Sequence, residues 1–125
     1  MTKFLFDTNV LLDYLRGDPK AAPYVEAVLD GSEEGYLSVI TLFELGRAIR
    51  DSKEELMIDA LTSKFEIVPL TSDIATLARG IVKQNLPAAD ALFVATAMKL
   101  GATILTADIA LQSEFGSLAS YADYR

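Results

Sequence analysis

The sequence predicts an α/β fold, a three-layer α/β/α sandwich around a mainly parallel central sheet of four to five strands. Short apolar or β-branched runs alternate with segments of helical periodicity along the chain, as parallel βαβ units require. The segment Ala91 to Leu100 is apolar at nearly every position, which reads as a helix buried on most sides. No internal repeat, low-complexity segment or linker interrupts the alternation, so residues 1–125 read as one domain around one core.

Taken in order, Lys3 to Phe6 is a short apolar strand with Asp7 at its C-terminal end, and Val10 to Leu15 form a short helix stopped by Gly17. Asp18 and Pro19 open a second helix, in which Tyr24, Val25, Val28 and Leu29 recur at helical spacing and Pro23 fits only near the first turn. Gly31 to Gly35 is a turn, Tyr36 to Ile40 a second strand, and a helix runs from Leu42 toward Arg50. Glu54 to Ser63 forms the next helix, with Leu56, Met57, Ala60 and Leu61 on its apolar face. Phe65 to Leu70 is a third strand, which Pro69 pushes toward an edge or toward its own end. Ser72 is placed to cap the clearest helix, running to Gln84, where Ile74, Leu77, Ala78, Ile81 and Val82 keep the helical repeat. Asn85 to Pro87 breaks it.

The stretch from Pro87 to Asp108 organises the rest. Asp90 heads the apolar helix, Gly101 ends it, and Ala102 to Thr106 returns as a buried strand. Ten helical residues rise about 15 Å and five strand residues about 17 Å. Packed antiparallel, the two lengths nearly cancel and bring Asp108 level with Asp90. A short helix to about Phe115 and a small final strand within Ala119 to Tyr124 complete the chain.

Composition narrows the chemistry. The sequence has no cysteine and no histidine, so thiolate and imidazole ligands are excluded and any metal must sit on oxygen, which suits magnesium, manganese or calcium. There is no secretory leader pattern and no apolar run long enough to span a bilayer, which reads as a soluble, cytoplasmic chain without a membrane partner. A net charge of −7 disfavours a non-specific nucleic-acid coat but not a nuclease, because bound cations offset acidic charge locally.

Four acids fall at strand ends or helix starts on one predicted edge: Asp7, Glu44, Asp90 and Asp108. Each has a plain structural explanation. Asp7 and Asp108 suit helix caps, Thr41-Leu-Phe-Glu44 suits a capping box, and Asp90 suits the positive end of a helix. Together they repel one another, and a divalent cation is the simplest compensation.

Asp7-Thr-Asn, Glu44 within Thr-Leu-Phe-Glu-Leu, Asp90-Ala-Leu-Phe-Val-Ala-Thr-Ala and Gly101-Ala-Thr-Ile-Leu-Thr-Ala-Asp108 resemble the PIN-domain family, and within it the VapC-type toxin ribonucleases of prokaryotic toxin–antitoxin pairs. The resemblance covers essentially the whole chain. It implies a PIN-like fold and a metal-dependent ribonuclease in which Asp7 and Asp90 are the principal metal ligands and Glu44 and Asp108 complete the site, holding one or two Mg²⁺ or Mn²⁺ ions. It implies Thr8, Asn9 and Thr106 as residues that orient the carboxylates, an RNA substrate, a cognate VapB-like antitoxin and a homodimer. Arg47 and Arg50, following Glu44 on its helix, are the candidate RNA phosphate contacts, Arg47 the better placed. One departure is the segment after Asp108, Ile-Ala-Leu-Gln-Ser-Glu-Phe, which lacks the basic, aromatic-tipped loop often found there.

Two other classes fit an acidic pocket. A non-catalytic binding or regulatory domain would keep the pocket without cleavage. A receiver-like Mg²⁺-binding signalling domain would need an aspartate ending a middle strand and a later strand-end lysine, whereas the middle strand here supplies Ser38 and no such lysine stands out.

Overall fold

The computed structural model describes residues 1–81, 87–122 and 124. Five parallel strands form one sheet in the order β3-β2-β1-β4-β5: β1 (Lys3–Phe6), β2 (Glu34–Ser38), β3 (Glu66–Val68), β4 (Thr103–Leu105) and β5 (Ser120–Tyr121). The first strand lies in the middle, pairing Leu5 with Tyr36 of β2 and with Ile104 of β4. The third lies at an edge, where Pro69 costs no ladder hydrogen bond.

Strand periodicity sends alternate side chains to the two faces. Phe6, Leu37 and Leu105 face one side, against α1 (Thr8–Leu15), α2 (Ala22–Leu29), α3 (Val39–Ala48) and α4 (Ser52–Thr62). Leu5, Tyr36 and Ile104 face the other, against α6 (Ala88–Leu100) and α7 (Ile109–Phe115). The small residues Ala78, Ala91 and Ala95 let α5 (Ser72–Ile81) pack closely on α6. This is the expected α/β/α sandwich. Gly35 is required by contact rather than by backbone angle: a methyl group there would lie 2.7 Å from Phe65 and from Val28. Gly101 caps α6 in the left-handed conformation, φ 64°, and turns the chain directly into β4.

Several boundaries differ from the sequence reading. Asp18 accepts a hydrogen bond from the Lys20 amide (2.9 Å), a local turn that delays the second helix to Ala22. Strand β2 ends at Ser38, whose hydroxyl accepts from the Ile40 amide (3.1 Å), so α3 begins at Val39 rather than Leu42 and Thr41 is inside it, not its cap. Thr71 rather than Ser72 caps α5, accepting from the Ile74 amide (3.3 Å). The expected continuation of α5 through Val82 to Gln84, and the break at Asn85 and Leu86, lie outside the described residues.

The face of α4 also differs. Leu56 and Met57 are exposed, and the buried residues are Glu54, Ile58 and Leu61. The reason is Glu54, whose carboxylate is clamped by two arginines. Arg16 reaches its Oε1 (3.1 Å) from the end of α1, and Arg50 reaches its Oε2 through both Nη2 (2.8 Å) and Nε (3.2 Å). Arg16 also donates to the Ala48 carbonyl (3.2 Å), so the clamp ties the ends of α1 and α3 to the start of α4.

These hydrogen bonds hold the Glu54 carboxyl at a pKa of about 2, below its usual 4.5. A depressed folded-state pKa contributes stability that is complete above the unfolded value and is lost as the pH falls through the folded one. Glu54→Gln should therefore melt below the wild-type chain at pH 7, and the gap should narrow between about pH 4.5 and pH 2. Thermal melts of the two chains across that range test this, and a gap that does not change with pH would contradict it.

Candidate metal centre

At the C-terminal ends of β1, β2 and β4 the chain enters α1, α3 and α7, and beside them the first turns of α1, α3 and α6 line one cavity of about 240 Å³. Thr8 and Asn9 come from α1, Ile40 and Thr41 from α3, Ala89 and Asp90 from α6. The positive ends of these helices face a cavity whose walls also carry Asp7, Glu44 and Asp108. All four acids singled out in the sequence thus border the same space.

Pairing of β1 with β4 sets the centre of the site. The Asp7 amide donates to the Leu105 carbonyl (2.9 Å), continuing the ladder one residue beyond the strand, and places Asp7 beside Thr106. Thr106 is fully buried and its hydroxyl donates to Asp7 Oδ2 (2.6 Å), while the Asp108 amide donates to that same hydroxyl (3.0 Å). Asp7 Oδ1 accepts from the Thr8 amide (2.7 Å), and the Thr8 hydroxyl donates to Glu44 Oε1 (2.9 Å). Two threonines therefore orient two of the acids. The third polar residue expected to do so, Asn9, is exposed at the rim of the cavity and makes no side-chain hydrogen bond among the described residues.

The plain structural roles are fulfilled at the same time. Asp7 stands at the N-cap of α1, and Asp108 Oδ1 accepts from the Leu111 amide (3.1 Å) to cap α7. Asp90 is the third residue of α6 and its carboxylate has no hydrogen-bond partner among the described residues. Burial pushes the Asp90 carboxyl up from its ordinary range, and the charges of Asp108, Asp7 and Glu44 push it further. Asp7 is also raised, chiefly by burial and then by Glu44 and Asp108; the hydrogen bonds from Thr106 and Thr8 oppose the shift. The charges of Glu44 and Asp108 thus bear on both Asp7 and Asp90, which ties the four acids into one electrostatic unit.

Of the two arginines, Arg47 is exposed beside Glu44 and Ala48 at the edge of the site. Arg50 is committed to Glu54 and does not border the cavity. Ser38, which the sequence reading keeps inside the second strand, instead caps α3 and so sets the start of the helix that carries Thr41 and Glu44; a serine between a strand pattern and a helix pattern is the signal for that cap. Gln112, which donates from Nε2 to the Thr106 carbonyl (3.3 Å), carried no such signal.

A PIN-domain family profile matches residues 4–114, a span that contains all four acids. The chain belongs to the PIN-domain family. This PIN domain is 30% identical over 111 residues to "Ribonuclease VapC19" of Mycobacterium tuberculosis, with 84% of this chain and 88% of that protein covered. It superposes on a chain of a toxin-antitoxin complex from Klebsiella pneumoniae with a TM-score of 0.80 at 24% identity, covering 97% of both. For FitAcB from Neisseria gonorrhoeae the TM-score is 0.74 at 23% identity over 96% of each chain. For DNA-bound VapBC from Salmonella typhimurium it is 0.75 at 20% identity over the full length of both. The two solved complexes and FitAcB establish that the PIN fold is shared.

Whether these residues suit a divalent cation is a question of donors. Every acid at the site of this PIN domain offers only oxygen, which suits a hard cation, and added positive charge would relieve the repulsion that raises Asp7 and Asp90. Among the described residues no three acids are gathered tightly enough to hold an ion as they stand. The Asp90 carboxylate is held by no hydrogen bond among the described residues. The donor set therefore fits the metal, with Asp7 and Glu44 held by threonines and Asp90 free to adjust.

The Thr106 hydroxyl lowers the Asp7 pKa against burial. In Thr106→Val the Asp7 carboxyl should titrate at a higher pH than in the wild-type chain, both without metal. Carboxyl-carbon NMR titration measures it, and an unmoved or lower midpoint would contradict the assignment.

Proposed function

We propose that this PIN domain is a divalent-metal-dependent ribonuclease and the toxin of a VapBC-type toxin–antitoxin pair, acting in the cytoplasm as a single domain. The observation that carries the reading is the convergence of four carboxylates on one cavity at the sheet edge, without a cationic side chain among the lining residues to neutralise them. The likeness to a protein named as a ribonuclease and to solved toxin–antitoxin complexes supports the same reading. The absence of histidine leaves carboxylates as the acid-base groups at this cavity.

Asp7 and Asp90 would be the principal ligands of one or two Mg²⁺ or Mn²⁺ ions, with Glu44 and Asp108 completing the set. A bound divalent cation supplies Lewis acidity and a more acidic water for hydrolysis of an RNA phosphodiester. The chain's own part is to hold the ligands: Thr106 and Thr8 fix Asp7 and Glu44, and the helix first turns around the cavity favour anionic groups entering it. Helix α3 also leaves Val39, Leu42 and Phe43 exposed, an apolar stripe suited to a homodimer contact or to an antitoxin segment.

Purified protein incubated with a mixed pool of structured RNA should cut with Mg²⁺ or Mn²⁺ and fail with EDTA. Asp90→Asn, which has no side-chain hydrogen bond to lose and removes a charge its neighbours repel, should melt at or above the wild-type temperature while cleavage falls by at least about a hundredfold. Full activity in that variant, or cutting in EDTA, would overturn the reading. Cleavage absent in every lane together with no metal uptake by calorimetry would favour a non-catalytic acidic-pocket domain.

Arg47 is the cation beside the acids that no carboxylate claims among the described residues, so it is the proposed phosphate contact. Arg47→Ala should weaken RNA binding and reduce the slope of log affinity against log salt by about one. An unchanged slope in a salt titration would remove Arg47 from the RNA path.

A further inference from the structure

Thr41 is a buried side chain that the acid cluster does not use. It is 2% exposed, lies one turn before Glu44 on α3, and lines the same cavity. A threonine inside a helix ordinarily satisfies its hydroxyl on the carbonyl four residues back, as Thr96 does on Leu92 (2.7 Å). Four residues before Thr41 the chain is still in β2, so that carbonyl is not in its helical place. The Thr41 hydroxyl has no hydrogen-bond partner among the described residues. No described polar side-chain atom is both sealed from solvent and unpartnered, so the small exposure Thr41 retains includes its hydroxyl, at the cavity it lines.

A phosphodiester entering this cavity needs hydrogen-bond donors for its non-bridging oxygens. The carboxylates only accept. Thr8 has already given its hydroxyl proton to Glu44. Among the side chains that line the cavity, that leaves the amide of Asn9, exposed at the rim, and the hydroxyl of Thr41 in the wall, beside the backbone amides of the helix first turns. We propose that the Thr41 hydroxyl donates a hydrogen bond to a non-bridging oxygen of the RNA phosphodiester in the cavity, positioning it against the acid cluster. The inference rests on the ribonuclease reading for the identity of the phosphodiester, and on the unpartnered hydroxyl of a buried residue, open to the cavity, for the contact.

Binding separates this role from chemistry and from packing. A fluorescein-labelled mixed RNA pool is titrated, with Mg²⁺ present, against Asp7→Asn and against the same chain carrying Thr41→Val or Thr41→Ser, with fluorescence anisotropy as the readout. Valine keeps the shape and removes the donor; serine keeps the donor and removes the methyl group. The Val chain should bind about tenfold more weakly, the loss expected for one hydrogen bond to a charged group, while the Ser chain binds within about twofold of its parent. In the otherwise wild-type chain, Thr41→Val should raise KM more than it lowers kcat. Val binding as tightly as the parent, or Ser and Val weakened equally, overturns the contact. RNA held through Thr41 but never cut by the wild-type chain would sink the nuclease reading and leave the contact standing; no RNA binding at all would overturn both.

Discussion

The site depends on one backbone pairing. Strand β1 is central in the sheet, and its register with β4, Phe6 beside Leu105, is extended by the hydrogen bond from the Asp7 amide to the Leu105 carbonyl. That bond puts residues 99 apart in sequence, Asp7 and Thr106, side by side with the hydroxyl of one on the carboxylate of the other. A one-residue slip of β1 would exchange Phe6 with the smaller Leu5 between the two packed faces and carry Asp7 to the opposite face. The burial of Phe6 against Phe65, ring centroids 5.0 Å apart and nearly perpendicular, therefore secures the acid cluster as much as the core.

The chain handles buried carboxylates in two opposite ways. Glu54 has two arginines, and its pKa drops to about 2. Asp7 and Asp90 have no cation on the cavity wall, only hydroxyls, amides and one another, and both are raised. The acids that need positive charge lie beside an open cavity, whereas the acid that already has it is buried in the first turn of α4 between its two arginines. Arginine placement rather than the number of acids therefore decides which carboxylates stay available to an external cation.

Much of this was legible in the sequence because the organising signals are local. The apolar run from Ala91 to Leu100, the glycine that ends it and the β-branched strand that follows set the spacing between Asp90 and Asp108 by element lengths alone, and both residues do border the cavity. The misplacements have a common cause, a tertiary partner that periodicity does not register. Val39 and Ile40 look like strand residues, which puts the start of α3 at Leu42; the Ser38 cap ends β2 before them. Leu56 and Met57 look like core and are exposed because Glu54, drawn inward by Arg16 and Arg50, sets the buried face of α4. The same clamp removes Arg50 from the cavity, which no reading of its place after Glu44 would reveal.

Moving the start of α3 by three residues changes more than a boundary. With the helix beginning at Leu42, Thr41 would be a cap, its hydroxyl spent on a backbone amide and Glu44 reaching back to complete the box. With the helix beginning at Val39, the capping falls to Ser38, and both Thr41 and Glu44 turn their polar ends to the cavity. Thr8 then occupies the inner oxygen of Glu44, so the carboxylate is oriented by a neighbour on α1 rather than by its own helix. The polar groups at the first turn of α3 are thereby released from holding the helix together. Glu44 then answers to Thr8, the Thr41 hydroxyl is left without a partner among the described residues, and the cavity sets acceptor-only carboxylates beside the donor-bearing first turns of three helices.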